Sequence, residues 1–285
     1  MTSKVTIKHL TISDNDPTHL MAAVNLSQES FYKGSILDFN DKKKFEERIS
    51  SLIDQGAEII DLGPKSSAPI DIYGNETAIS IKEEIRRITK PLEVFSTLDA
   101  EIIISIDTQS SQVAEFALSH GADIINDISG LKNDPLMAKV IGDHNGFLIA
   151  MACETKPGDV FTLNTVVKAL DNTISLAHEY ISRQNIIIDP GIGGWIPKRT
   201  PEHDFQLILD TPKLKKQLGC PALIALSRKS FIGKTLSLPP DKRLNGSLAA
   251  TAISILYGAN IIRTHDLKET RESIIIAEKF KKLLS

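Results

Sequence analysis

Residues 222–233, ALIALSRKSFIG, place two cations and two hydroxyls directly after a short apolar run. Charged side chains at the mouth of a buried strand cost free energy unless a partner or ligand compensates them. Ser227, Arg228, Lys229 and Ser230 are therefore candidates for holding a ligand.

Polar residues also end other apolar runs along the chain: Asn25, Asp107, Asn126 with Asp127, Asp189, and Arg263 with His265. Each residue alone could be a helix N-cap, since Asp, Asn and Ser are favoured there. That alternative explains the whole set poorly, because Asp107 and Asn126 lie deep in their runs. The set favours a binding site.

The residue types suggest two halves of such a site. The carboxylates and the amide of Asp107, Asn126 and Asp189 suit a flat heterocycle with adjacent N–H donors and a ring carbonyl. Lys229 and the Arg263–His265 pair suit an anion such as a phosphate. Asn25 could coordinate Mg²⁺, which typically keeps several waters and is held partly by substrate phosphates.

Eight short apolar runs must position these residues: LMAAVNL, AEIIDLG, EIIISIDT, ADIINDI, GFLIAMA, NIIIDP, ALIALS and ANIIRTH. Their nearly continuous apolar character is typical of strands buried on both faces. Amphipathic segments separate them, such as residues 41–56, where Phe45, Ile49, Leu52 and Ile53 recur at helical spacing. The last segment, from Leu267 onward, carries Ile276, Phe280 and Leu284 on one face.

Eight strand–helix units predict an α/β fold, a (β/α)₈ barrel of the TIM type in a single domain. The domain spans residues 1–285, with the barrel core from about residue 18. An open, doubly wound sheet stays an alternative at this point, because a sequence shows alternation but not closure. In a barrel, the polar strand ends would converge at the catalytic face.

Composition limits the partners. The chain has 285 residues, a formal net charge of -3 and interspersed charges, so we expect neither nucleic acid nor a membrane surface as a partner. Residues 1–20 are polar and have no apolar core of signal-peptide length. Cys153 and Cys220 lie far apart, without metal-ligand spacing, which indicates a reduced, cytoplasmic protein.

Seven motifs together resemble those of the dihydropteroate synthase family: NLSQESF, SIDT, IINDISG, DPGIG, SRKSFIG, GSLAA and RTHD. They occur in that family's order, from Leu20 to Asp266. The resemblance implies a (β/α)₈ barrel, commonly a homodimer. It also implies a transferase of folate or methanopterin-type biosynthesis, which joins 6-hydroxymethyl-7,8-dihydropterin diphosphate to 4-aminobenzoate or a modified arylamine and releases pyrophosphate.

The resemblance also implies roles for individual residues. Asp107, Asn126 and Asp189 match residues that hold the pterin ring, and Lys229 also contacts it. Asn25 matches the Mg²⁺ ligand, and Arg263 with His265 matches the diphosphate site. Ser230 matches a residue near the aminobenzoate carboxylate, and Ser67 is a surviving substrate-binding position. Asp107, Lys229, Arg263 and His265 are the catalytic candidates.

Two loops depart from the family pattern. Gln28 and Glu29 alter the first loop, and Lys65 and Ala68 replace an acid and an arginine in the second. With Trp195, these changes leave room for a bulkier, phosphorylated arylamine, although unchanged substrate choice is an equal alternative. Two other functions stay open: a corrinoid- and pterin-dependent methyltransferase, which does not need the phosphate-facing cations together, and a non-catalytic pterin-binding subunit.

Overall fold

Ten strands build the centre of the computed structural model, which describes residues 4–27, 41–65, 79–98, 101–193 and 196–284. The strands are β1 (Lys4–Ile7), β2 (Leu10–Ser13), β3 (His19–Asn25), β4 (Ile59–Gly63), β5 (Ile103–Asp107), β6 (Ile124–Asp127), β7 (Phe147–Met151), β8 (Ile186–Asp189), β9 (Leu223–Ala225) and β10 (Ile261–Thr264). All eight strands predicted from the sequence are present, as β3 to β10.

Strands β3 to β10 pair in parallel, in the order β8-β7-β6-β5-β4-β3-β10-β9. A parallel bridge between Ile188 and Ala222 joins the two ends of this order. There the Ile188 amide donates to the Pro221 carbonyl at 3.0 Å. The strands therefore form the predicted (β/α)₈ barrel, and the open-sheet alternative is excluded.

Helices follow the strands and cover the outside of the barrel. Within the described ranges they are α1 (Lys42–Asp54), α2 (Ile81–Phe95), α3 (Ser111–Ser119), α4 (Met137–Asp143), α5 (Leu163–Ala177), α6 (Pro201–Leu209), α7 (Thr211–Leu218), α8 (Ser230–Leu236), α9 (Leu244–Leu256) and α10 (Leu267–Leu284). In α1 the Asp41 side chain caps the first turn, and Phe45, Ile49 and Leu52 are buried as their spacing predicts.

The last helix differs from the sequence expectation. Ile274 and Ala277 of α10 pack inward, whereas Ile276, Phe280 and Leu284 are 60%, 59% and 77% exposed. The apolar face read from the sequence is therefore left uncovered in the single chain.

The hairpin of β1 and β2 closes the amino-terminal end of the barrel, and the sequence analysis did not predict it. Val5, Ile7, Leu10 and Ile12 are buried in one cluster with the lowest inward-facing side chains of the barrel. These are Met21, Ile59, Ile103, Ile124, Ile149, Ile187, Leu223 and Ile261. The floor of the barrel is therefore closed and apolar.

Side chains two residues further along each strand point to the same side, because strand residues alternate between faces. The next inward layer therefore contains Ala23, Asp61, Ser105, Asn126, Met151, Asp189, Ala225 and Arg263. The floor layer is wholly apolar, whereas this next layer is largely polar. That change separates the packed floor from the face on which the candidate site lies.

Candidate active site

Asp61, in the middle of β4, organises the polar layer. Its side chain is fully buried, and Ser105 Oγ donates to Oδ1 at 2.5 Å. Oδ2 accepts from Asn126 Nδ2 at 3.2 Å and from Arg263 Nε at 2.7 Å. One carboxylate therefore fixes side chains from three other strands, two of them predicted site residues.

Arg263 lies between two carboxylates. Its Nε binds Asp61, and its Nη2 lies 3.5 Å from Oδ2 of Asp107. Burial opposes the positive charge, but the carboxylates of Asp61 and Asp107 outweigh it and raise the pKa of Arg263 above its ordinary value. The guanidinium is thus permanently charged and held across the barrel from β10 to β4 and β5.

Asp189 and Lys229 are neighbouring titratable groups of the site, each of which influences the pKa of the other. Asp189, at the end of β8, accepts from the Gly191 amide at 2.7 Å. Burial raises the pKa of Asp189, against the opposing effect of Lys229. Burial lowers the pKa of Lys229 to about 8, although Asp189 and Asp204 favour its charged form. Lys229 Nζ donates to the Ile192 carbonyl in the loop after β8.

Arg228 and Lys229 are adjacent in sequence but have different roles. Arg228 has a left-handed backbone, with φ of 55°, which is strained for a residue with a side chain. Its guanidinium binds Asp266 through Nε and Nη2, at 2.9 and 2.8 Å, and reaches the Pro240 and Asp241 carbonyls through Nη1. Arg228 is therefore a structural clamp, and its turn lets Lys229 face the site.

His265 follows β10 and lies beside Arg263. Its Nδ1 is 3.1 Å from Ser227 Oγ, and its amide donates to the same oxygen at 3.3 Å. Burial and the Arg263 charge lower the pKa of His265 to about 3, although Asp266 opposes the shift. The ring is therefore neutral near pH 7 and can donate one N–H to an anion.

Asn25 ends β3 opposite Gly63 of β4. A Cβ atom built on Gly63 would lie 3.5 Å from Asn25 Oδ1, so the amide oxygen lies directly against the end of β4. Among the described residues, no group of three or more His, Cys, Asp or Glu side chains could hold a metal ion. A single amide oxygen without nearby carboxylates suits a cation whose other ligands come mainly from a bound phosphate and from water.

The predicted residues thus fall into three groups. Asn25, Asp107, Asn126, Asp189, Lys229, Arg263 and His265 come together at the carboxyl ends of the strands, and buried Ser230 begins α8 beside them. Asp127 instead turns outward and accepts from the Ser129 and Leu131 amides at 2.8 Å. Ser67, Gln28, Glu29, Ala68 and Trp195 lie outside the described residues.

Asp61 and Ser105 were missed by the sequence analysis. A signal was present, because an acid interrupts the apolar run AEIIDLG two residues before its end. A buried charge in a strand of this kind needs a partner. The alternation of strand side chains places Asp61 on the same face as the site, but its partners come from strands far away in sequence.

Comparisons with known proteins agree with this geometry. Residues 21–265 match the family model described as pterin binding enzyme. A dihydropteroate synthase of Bacillus subtilis (strain 168) is 35% identical over 269 residues, covering 94% of this chain and 90% of that protein. One of Synechocystis sp. is 35% identical over 272 residues, covering 92% and 89%.

Solved structures give the same answer. A dihydropteroate synthase of Coxiella burnetii in complex with pteroic acid superposes with a TM-score of 0.82 at 31% identity, covering 99% of both chains. A Yersinia pestis dihydropteroate synthase with a sulfonamide drug has a TM-score of 0.84 at 27% identity, covering 98% of this chain and 99% of that one.

The chain belongs to the pterin-binding enzyme family. The relatives named above, by sequence and by structure, are dihydropteroate synthases. The resemblance read from the seven motifs is thereby confirmed, and the chain is a transferase.

The low pKa of His265 predicts a pH dependence of stability. An unfolded histidine titrates near pH 6.5, so between about pH 6.5 and 3 the unfolded chain binds a proton that the folded chain does not. This group's contribution is therefore lost as pH falls. We expect His265→Gln to lose about 2–3 kcal/mol less unfolding free energy than the wild type between pH 7 and 4.5.

Urea unfolding at the two pH values measures this difference. The matched control is His178→Gln, because His178 is exposed at the end of α5. Equal acid sensitivity of the wild type and His265→Gln would mean that His265 can take up a proton in the folded chain.

Proposed function

We propose that this chain joins 6-hydroxymethyl-7,8-dihydropterin diphosphate to 4-aminobenzoate, forming dihydropteroate and releasing pyrophosphate in folate biosynthesis. The observation that carries the proposal is the polar layer itself, in which Asp61 holds Arg263 and Asn126 over an apolar floor. Three carboxylates, of Asp61, Asp107 and Asp189, and two cations, Lys229 and Arg263, converge at this face, as a ring with N–H donors and an attached diphosphate requires. Family membership supports the same reaction.

The pterin ring would bind between the ends of β5, β6 and β8. Asp107, Asn126 and Asp189 offer acceptors and a donor for its amino and amide edge, and each is less than 9% exposed. Lys229 faces Asp189 and would contact a ring carbonyl or nitrogen. These groups project from strand ends whose positions the barrel fixes, so the pocket is preorganised.

The diphosphate would lie toward β10. Arg263 supplies a permanent positive charge, and His265 supplies a neutral N–H donor. When the methylene carbon–oxygen bond breaks, its electron pair leaves with pyrophosphate and positive charge spreads into the pterin. Asp107 and Asp189 stabilise that charge while Arg263 and His265 stabilise the leaving group. The arylamine nitrogen then bonds to the methylene carbon and loses a proton.

Mg²⁺ is the cofactor that we propose, with Asn25 as its direct protein ligand. When bound, the ion would neutralise charge on the diphosphate. Because the described residues offer no carboxylate cluster for a metal, affinity should depend on the diphosphate. Calorimetry of Mg²⁺ with the free protein should therefore show no tight site, while pyrophosphate release should stop on chelation.

The second substrate would enter beside Ser230. Lys65 had suggested a phosphorylated arylamine, but its charge lies near the buried carboxylate of Glu84. Burial raises the pKa of Glu84, and Lys65 counteracts this, so the Lys65 charge already has a carboxyl group of this chain beside it. This favours plain 4-aminobenzoate. The bulkier arylamine stays a prediction, because residues 68, 194 and 195 lie outside the described ranges.

Pyrophosphate release with the pterin diphosphate, 4-aminobenzoate and Mg²⁺ tests the proposal. Asp189→Asn should lower kcat/KM by about 10²–10³-fold, since it removes a charge that faces the developing cation. Asp127→Asn is the matched control, because Asp127 is a buried acid at a strand end that faces away from the site. It should lose stability but keep turnover per folded molecule.

No pyrophosphate release by the wild type, with the pterin diphosphate still bound, would favour the non-catalytic subunit instead. Methyl transfer from a methylated pterin to a corrinoid would favour the methyltransferase.

We also keep a cytoplasmic location as a prediction, supported by Cys153 and Cys220, which are buried and form no disulfide. None of the described helices has the length and apolar character to cross a membrane.

We further propose that two copies associate through the outer face of α6, α8, α9 and α10. Phe205, Leu209, Leu236 and Ile253 are 39–47% exposed there, and they border an almost wholly apolar cavity of about 280 Å³. Ile276 and Phe280 of α10 are also uncovered. Apolar clusters on a protein surface mark interaction sites.

Analytical ultracentrifugation tests the dimer. The wild type should sediment as a dimer, and Ile253→Glu should shift it toward the monomer because a charge would be buried in the contact. Leu136→Glu is the control, since Leu136 is 58% exposed but lies before α4, outside this face. A monomeric wild type at micromolar concentration would contradict the proposal.

A further inference from the structure

Arg199 and Asp204 form the most deeply buried ion pair among the described residues, and the proposed reaction does not use them. Their side chains are 0% and 1% exposed, and Arg199 Nε lies 2.7 Å from Asp204 Oδ1. Arg199 follows β8 in the connection to α6, and Asp204 lies in the first turn of that helix. Neither stood out in the sequence.

The pair is expensive to maintain. Arg199 Nη2 and Asp204 Oδ2 are both buried and have no hydrogen-bond partner among the residues that the structure describes. Desolvation of two charges often exceeds their mutual attraction, and orphaned polar atoms add to the cost. Stability alone therefore accounts poorly for charges at these positions.

A single peptide unit connects the pair to the site. Asp204 Oδ1 also accepts from the Gly193 amide, at 2.9 Å. The carbonyl of that same peptide unit belongs to Ile192, and it accepts from Lys229 Nζ. Because the peptide is planar, anchoring its N–H also fixes the direction of its C=O. Asp204 thereby orients the Ile192 carbonyl oxygen that accepts the hydrogen bond from Lys229.

The stem of Lys229 confirms the close fit at this peptide. Gly193 has a φ of 135°, and a Cβ atom built there would lie 2.9 Å from Lys229 Cδ. The lysine stem thus lies against the peptide as its ammonium bonds to it. Arg199 Nη1 reaches the Val160 carbonyl at 3.2 Å and so joins the connections after β7 and β8.

We propose that Arg199 and Asp204 are positioning residues for Lys229, which fix its ammonium through the Ile192–Gly193 peptide and balance the charges around it. The inference rests on the proposed function, in which Lys229 contacts the pterin. The charged or titratable groups that face Lys229 are Asp189, Asp204, Arg199, Arg263 and His265.

The charges of the pair act on Lys229 in opposite directions. Burial lowers the pKa of Lys229 most, Asp204 raises it and Arg199 lowers it. Asp204→Asn should therefore shift the Lys229 titration to lower pH, and Arg199→Met should shift it to higher pH, each by about one pH unit. A pair that only stabilised the connection after β8, without acting on Lys229, would leave this titration unmoved in both variants.

The direct readout is NMR of the whole protein carrying ¹³Cε-labelled lysine, titrated with pH. Lys229→Met assigns the resonance. Asp14→Asn is the control, because it removes the carboxylate partner of the buried Lys215 ammonium. Asp14 follows the β1–β2 hairpin, at the closed end of the barrel and away from Lys229. This variant should reduce stability as Asp204→Asn does, without moving Lys229. If Arg199→Met does not fold, the double variant Arg199→Met/Asp204→Asn should shift Lys229 less than Asp204→Asn alone.

The pH profile of kcat/KM for pyrophosphate release is the second readout. Its alkaline limb should move in the same direction as the NMR titration in each variant. An unmoved Lys229 resonance in Asp204→Asn, or shifts of one sign in both variants, would overturn the inference. Because the NMR readout needs no turnover, failure of the proposed reaction is separable from failure of the positioning role.

Discussion

A buried carboxylate inside the barrel, Asp61, is the constraint on which the rest of the site depends. It lies one layer above an apolar floor, where an unpaired charge would cost several kcal/mol. Its three donors come from β5, β6 and β10, so satisfying it fixes the relative positions of distant strands. Arg263 in turn satisfies both Asp61 and Asp107. Arg263 and Asp107, which the proposed reaction uses, are therefore also part of the network that compensates the buried charge of Asp61.

Charge compensation recurs around this centre. Lys229 is balanced by Asp189 inside the site and by Asp204 behind it, and Arg228 is balanced by Asp266 on the outer side. The left-handed backbone at Arg228 separates the two adjacent cations into these different environments. The run SRKS thus contributes one cation to the site and one to the scaffold, which its residue types alone do not reveal.

The sequence predicts the barrel well because its signals are local. Each strand is an apolar run, and each predicted run appears in the structure within a few residues of its expected bounds. The polar strand ends converge because parallel strands in a closed barrel end on one face. The hairpin was missed because β1 and β2 are only four residues each and lie in a polar segment. Asp61 was missed because its partners come from strands far away in sequence, and Asp204 because its link to Lys229 runs through the Ile192–Gly193 peptide.

Calorimetric binding of the pterin diphosphate to the wild type, Asp61→Asn, Arg263→Gln and the double variant tests the central claim most directly. If Asp61 acts by holding Arg263, each single change weakens binding by about 2–3 kcal/mol and the double change adds little more. The coupling between the two residues should then be at least about 1.5 kcal/mol. Losses that simply add would contradict the account, because Asp61 would then act on the ligand independently of Arg263.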